Sequence, residues 1–134
     1  MARKDILRKL KQHHIMPTSQ RVEVASILLA RPQHLSADQI IDKLRVRGSR
    51  VSKATVYNTL KLFSEQGLVK ELSLDSSRKY YDSTTHPHHH FYHVETGELS
   101  DIPESQVSIR GLPPLPKGTE QEGVEVLIRV RDKR

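Results

Sequence analysis

Cysteine and tryptophan are absent from the 134-residue chain, and aromatic residues make up only 4% of it. The lack of cysteine excludes disulfides, iron–sulfur clusters, thiolate zinc sites and cysteine nucleophiles together. It leaves the redox compartment open, although cysteine-free secreted domains of this size are less usual. Hydrophobic residues amount to 35%, a thin supply for a length that suits one compact domain or two very small ones. Small lobes of that kind often need a metal, a partner chain or both for stability. Long apolar runs are missing too. The longest, near Ala25–Ala30, is interrupted by Ser26 and is too short to span a bilayer. Met1–Asp5 leads into a charged amphipathic stretch rather than the apolar core of a signal peptide. The expectation is a cytoplasmic protein with no membrane partner.

Charge is abundant and unevenly placed. Residues 1–70 carry 14 Lys/Arg against 5 Asp/Glu, a net of +9, whereas residues 71–134 carry 8 against 11, a net of −3. A basic first half joined to an acidic second half points to a polyanion contact made by one lobe only. A lysine-rich solvated surface is the plainer explanation of the same charge.

The basic half reads as four helices and a hairpin. Lys4–His13 places Ile6, Leu7 and Leu10 on one side, and Pro17 breaks the chain soon after. Ser19 or Thr18 caps a second helix running to about Ala30, with Val22, Ala25 and Leu29 inward, and Pro32 prevents its continuation. Ser36-Ala37-Asp38-Gln39 is a capping box for a third helix, whose Ala37, Ile40, Ile41 and Leu44 recur with helical spacing up to Arg47-Gly48. Ser52 caps a fourth, with Val56, Leu60 and Phe63 inward and Gly67 as a left-handed stop. Leu68–Leu74 and Arg78–Asp82 follow as short strands around Asp75-Ser76-Ser77.

That order is the order of a winged helix-turn-helix, which lays its second motif helix in the major groove and its wing on the flanking backbone. The helix beginning at Ser52 offers free N-terminal amides to phosphate. Its Lys53, Thr55, Tyr57, Asn58 and Lys61 form an outward cluster able to reach phosphates or base edges. Tyr57 suits a thymine methyl, and Asn58 carries the donor–acceptor pair that adenine presents. With Ser52 and Arg21 they make up the expected DNA-binding set; each one alone would be an ordinary exposed side chain.

The acidic half holds five of the eight histidines within His86–His93. In a strand His88 and His90 fall on one face, about 7 Å apart at Cα and able to converge on one ion, while His89 falls on the other. Carboxylates flank the run at Asp82, Glu95, Glu98 and Asp101. Mixed imidazole and carboxylate ligands suit Fe(II), Mn(II) or Zn(II). Phe91–Val94 and Glu98–Ile102 read as strands around a Glu95-Thr96-Gly97 turn. Val124–Arg131 alternates, so that Val124, Val126, Ile128 and Val130 would face a core or a partner strand, and dimerisation covers such an edge economically. Gly111–Gly118 is an extended Pro-rich loop without room for a long helix.

Four segments together resemble the ferric uptake regulator family of metal-responsive repressors over nearly the whole chain: Pro17–Arg21, His34–Asp38, Ser52–Leu60 and the histidine run. The resemblance implies an α+β fold, with a winged helix-turn-helix DNA-binding domain over residues 1–82 and a small, mainly β domain for metal binding and dimerisation over 83–134. It implies a regulatory metal between the lobes, held by His34, Asp82, His88, His90 and Asp101, and a homodimer on a double-stranded, A/T-rich inverted-repeat operator. The family's usual structural zinc on two Cys-x-x-Cys pairs has no counterpart: the first pair falls on His93 and Thr96. The missing cysteines, the triple histidine and the C-terminal stretch resemble the iron response regulator branch, which is associated with haem. That makes His86, His89 and His93 candidates for a secondary metal or haem site, each of them otherwise exposed or packed.

The leading expectation is therefore a metal- or haem-responsive transcriptional regulator of iron homeostasis genes, not an enzyme. In the alternative, the signal is peroxide, and Fe(II) drives oxidation of His34 and His88. A remote third reading takes His88-x-His90 with Glu95 as resembling the ligand set of cupin oxygenases. The upstream glycine of that set is missing, and a basic helical half has no place in a small barrel. Phosphate loops, His-Glu-x-x-His helices and nucleophile elbows are also absent.

Overall fold

The computed structural model describes residues 2–75, 78–86 and 88–134. The expected turn at Ser76-Ser77 lies outside the described residues. The chain divides into two compact units, Met1–Thr85 and His86–Arg134.

The first unit runs α1 (Arg3–Gln12), α2 (Ser19–Leu28), β1 (His34–Ser36), α3 (Ala37–Val46), α4 (Lys53–Glu65), β2 (Lys70–Asp75) and β3 (Arg78–Asp82). Local chemistry sets the helix boundaries. Thr18 caps α2 through the Arg21 amide, Ser36 and Gln39 complete both bonds of the capping box on α3, and Ser52 caps α4 through the Thr55 amide. At the far end of α4 the Leu68 amide returns to the Phe63 carbonyl at 2.9 Å and Gly67 to Ser64 at 3.1 Å. This Schellman closure needs the left-handed φ of +75° at Gly67. The same closure ends α1, with the Ile15 amide on Leu10 at 2.9 Å, but there His14 takes φ +59° without being glycine. Behind these caps Leu10, Val24, Leu28, Ile40, Leu44, Val56, Leu60 and Phe63 form one core, none of them more than 1% exposed.

The wing is larger than the expected two-stranded hairpin. β1 pairs antiparallel with β3, which pairs antiparallel with β2, giving the order β1-β3-β2. The segment before the third helix is therefore the wing's third strand. Its register is locked by the Ser83 amide on the Gln33 carbonyl at 3.0 Å and the Gln33 amide on Ser83 Oγ at 3.1 Å.

The second unit is a three-stranded sheet in the order β5-β4-β6: β4 (His89–His93), β5 (Leu99–Ile102) and β6 (Leu127–Val130). β4 is antiparallel to β5 and parallel to β6. The Glu95-Thr96-Gly97 turn stands as expected, with the Gly97 amide on the His93 carbonyl at 2.8 Å. The long alternating C-terminal strand does not. Only Leu127–Val130 pairs, and Ile128 is 39% exposed in the single chain. Tyr92, Leu99 and Ile102 are the buried apolar side chains of this unit, joined by the buried His88, His89 and His90. No helix among the described residues is long and apolar enough to cross a membrane.

Candidate metal centre and nucleic-acid interface

α4 presents Lys53, Tyr57, Asn58 and Lys61 to solvent while Val56, Thr59, Leu60 and Phe63 are buried. The helix thus has one face for the core and one polar, basic face, as its periodicity demands. Ser52 and Thr55 are engaged with each other. The Thr55 amide donates to Ser52 Oγ at 3.1 Å, and the Ser52 hydroxyl donates to Thr55 Oγ1 at 2.9 Å. Arg21 stands off this face on α2, its guanidinium donating to the Met16 carbonyl at 3.0 Å.

A groove of ≈ 740 Å³ runs between the start of α3, α4 and the wing, lined among others by Asp38, Tyr57, Asn58, Lys61 and Lys79. Lys79 pairs with Glu71 across the wing at 3.1 Å, and that bond holds its ammonium above the ordinary lysine range. The Tyr57 hydroxyl donates to Asp38 Oδ1 at 3.2 Å. The Asp38 charge, then burial, then that bond raise the Tyr57 phenol above its usual value. Sequence reasoning did not find this pair, because nothing in a helical repeat joins residues 38 and 57.

The expected metal ligands fall in both units. In the first, His34 and Asp82 are direct cross-strand partners in the β1–β3 ladder. Asp82 is 1% exposed, and its Oδ1 accepts the Thr84 amide at 2.9 Å. In the second unit, His90 is the cross-strand partner of Asp101. His90 Nε2 lies 3.3 Å and His88 Nε2 3.5 Å from the same Asp101 Oδ1. The two imidazole centroids are 4.5 Å apart. One ligand atom from each of these three residues lies within 4.8 Å of the others.

The tautomer decides what that convergence means. His88 Nδ1 donates to the His86 carbonyl at 2.8 Å. A neutral ring with its proton on Nδ1 carries the lone pair on Nε2, the atom that faces the Asp101 carboxylate. A lone pair and a carboxylate oxygen at this distance repel unless a second ring proton or a metal ion stands between them. A backbone carbonyl fixing the far ring nitrogen is also the usual support of a ligating histidine. The donor set of two nitrogens and a carboxylate thus fits a borderline divalent ion such as Fe(II), Mn(II) or Zn(II).

Among the described residues His86, His89 and His93 are not grouped around one ion, and each has its own surroundings. His86 lends its carbonyl to His88, and their rings are 5.7 Å apart. His89 is buried, and its Nδ1 accepts the Val126 amide at 2.8 Å. His93 gathers with Glu95 and Asp132, a grouping not expected from the sequence. There the Thr96 amide donates to His93 Nδ1 at 3.2 Å, so Nε2 carries the proton and donates to Asp132 Oδ1 at 2.9 Å. The Asp132 amide in turn donates to Glu95 Oε1 at 2.9 Å. Those atoms are committed to one another as a clasp on the C-terminal segment. The residues present do not fit the family's thiolate zinc.

A helical unit with a three-stranded wing, a polar basic helix face, and a separate sheet with convergent imidazole and carboxylate donors define a winged-helix protein with a candidate metal centre. The sequence model of the ferric uptake regulator family matches residues 4–117, and the chain belongs to that family. The family comprises metal-responsive transcriptional regulators rather than enzymes. The chain is 33% identical over 98 residues to the peroxide-responsive repressor PerR of Staphylococcus saprophyticus, which covers 73% of this chain and 66% of the repressor. It thus spans about two thirds of the length of that curated relative. Among solved structures, the ferric uptake regulator of Pseudomonas aeruginosa with manganese superposes with a TM-score of 0.75 at 25% identity, covering 100% of both chains. That of Francisella tularensis with iron gives 0.70 at 25% identity, covering 89% and 92%.

Proposed function

We propose that this chain is a cytoplasmic, metal-gated, homodimeric DNA-binding regulator of iron-related genes. The observation that carries this reading is the centre at His88, His90 and Asp101, where two imidazole nitrogens converge on one carboxylate oxygen and a backbone carbonyl fixes the far nitrogen of His88. His34 and Asp82, paired on the wing of the DNA-binding unit, complete the ligand set. A divalent ion held by donors of both units would supply the positive charge that these carboxylates and imidazoles share, and would so bias the pose in which two α4 helices match an A/T-rich inverted repeat. Relatives with manganese and with iron support an ion of that class.

Two further points support the partners. Phe91 and Ile128 are register partners in the β4–β6 ladder and are 40% and 39% exposed, a face suited to a second copy. Lys53 and Lys61 on the exposed face of α4 suit a polyanion. Metal and DNA are then linked reciprocally: an ion that tightens DNA binding by some factor is itself bound tighter on DNA by that factor. Operator affinity measured with and without Mn(II) in chelated buffer tests this reading. A gain with metal is expected, and equal affinities would refute it.

Peroxide sensing is the second reading, favoured by the identity to a peroxide-responsive repressor. Fe(II)-loaded protein treated with peroxide would then gain one oxygen atom on peptides holding His34 or His88. Unmodified peptides would remove the reading.

A further inference from the structure

Tyr57 stands on the exposed face of α4, and its hydroxyl reaches across to the first turn of α3, where Asp38 Oδ1 accepts it at 3.2 Å. Packing does not demand this contact, since both residues are exposed. Nor does α3 need Asp38 as a cap, because Ser36 and Gln39 complete the box between them. The groove holds the carboxylates Asp38, Glu65 and Glu71 beside Lys61 and Lys79, with Glu71 paired to Lys79; of the three Asp38 is the one that accepts Tyr57, and its charge works against phosphate binding. A group that lowers polyanion affinity on the face meant to bind one calls for a role in discrimination.

We propose that Asp38 is a specificity-determining positioning residue: by accepting the Tyr57 hydroxyl it turns that side chain from the phosphate backbone toward base edges. The inference rests on α4 being the recognition helix. A tyrosine hydroxyl has one proton to donate and lone pairs to accept with. With the proton committed to Asp38, only the lone pairs are left for DNA. Phosphate oxygens are acceptors and gain nothing from them. The exocyclic amino groups of adenine and cytosine are donors in the major groove, and the ring itself suits a thymine methyl. Together these favour an A·T step. The raised phenol keeps its proton on Tyr57 across the working range. The tether also removes rotamer freedom before DNA arrives, so less is lost on binding.

The test uses the full chain with Mn(II), duplexes that the wild type enriches from a random pool, and a scrambled duplex of the same composition. Fluorescence anisotropy gives the ratio of affinities for the enriched and scrambled sequences. D38A and Y57F should each lower that ratio roughly two- to tenfold, the effect of releasing one ordered side chain. D38N, whose amide oxygen still accepts the hydroxyl, should keep the ratio within about twofold while tightening both duplexes, because a negative charge has left a phosphate-facing groove. The D38A/Y57F double variant should lose no more than either single one. An unchanged ratio in D38A, or independent losses in the double variant, would overturn the role of Asp38. Should D38A fail to fold, Y57F against D38N decides alone. If the wild type enriches no sequence, the recognition-helix reading itself falls and takes this inference with it.

Discussion

The ring of His88 donates from Nδ1 to the His86 carbonyl at 2.8 Å, which leaves Nε2 as the nitrogen it turns on Asp101. Two consequences separate at this residue pair. Asp101→Asn removes the carboxylate from in front of two imidazole nitrogens and replaces it with a group that can donate to one of them. In alkaline buffer, where imidazoles are neutral, the metal-free variant should melt at or above the wild type, with a gain of up to about 1 kcal/mol because the carboxylate is partly exposed. Its affinity for Mn(II) should fall by about tenfold or more, as expected when a ligand loses its charge. His88→Ala should weaken metal to a similar degree without the compensating gain in the metal-free state. Calorimetric titration beside a chelated thermal melt distinguishes the two. A metal-free Asp101→Asn chain clearly less stable than wild type would show that Asp101 holds the sheet together rather than waiting for an ion. Residue spacing made the meeting of His88 and His90 legible, since i and i+2 share a strand face, and Asp101 joined them through the family resemblance. Spacing was silent on the tautomer, which depends on where the His86 carbonyl points.

Helix ends show the same division between local and distant causes. The capping box at Ser36–Gln39, the Ser52 cap and the Gly67 stop were all readable, because each is a few residues of side-chain chemistry acting on neighbouring amides. His14 holds a left-handed φ of +59° at the close of α1, which no glycine announces. An exposed non-glycine residue there carries backbone strain, so His14→Gly should stabilise the chain by about 0.5–1 kcal/mol, less the glycine's extra unfolded-state entropy. Gly67→Ala, with φ +75°, should destabilise it by about 1 kcal/mol. Urea melts at one pH check both, and a loss of stability in His14→Gly would contradict the strain argument. The strands were less legible. β1 is three residues that run straight into the Ser36 cap, so its pattern was absorbed by the helix that follows. β6 pairs parallel with β4 across more than thirty residues, and nothing local fixes which part of Val124–Arg131 does so. The answer lies in tertiary bonds, among them the Val126 amide on the His89 ring and the Asp132 clasp on His93 and Glu95.

At the scale of the molecule the two units differ in what holds them. Met1–Thr85 surrounds a continuous core from Ile6 to Tyr81. His86–Arg134 buries Tyr92, Leu99 and Ile102 together with three histidines, a scant apolar interior for a free-standing sheet. Imidazoles buried in place of aliphatic side chains contribute less hydrophobic stabilisation, and two of these face a carboxylate that an ion would bridge. The second unit is therefore expected to owe its order to what binds it, as the composition first suggested. An ion at about 100 times its dissociation constant stabilises the bound form by about 2.7 kcal/mol, equivalent to roughly a hundredfold slowing of exchange through the opening it prevents. Hydrogen exchange read by mass spectrometry should then show Mn(II) slowing the amides of His89–His93 and Leu99–Ile102 by up to that factor. The amides of α2 and α4 should change little. If Asp82 ligates the same ion, the β1–β3 ladder should also slow in the wild type and cease to respond in Asp82→Asn, while β4 keeps part of its protection. Unchanged exchange in β4 and β5 would mean that the sheet stands without the ion. A response in β4 and β5 alone, with β1 and β3 indifferent, would confine the metal to the second unit and remove the ligand bridge through which it is proposed to govern DNA binding.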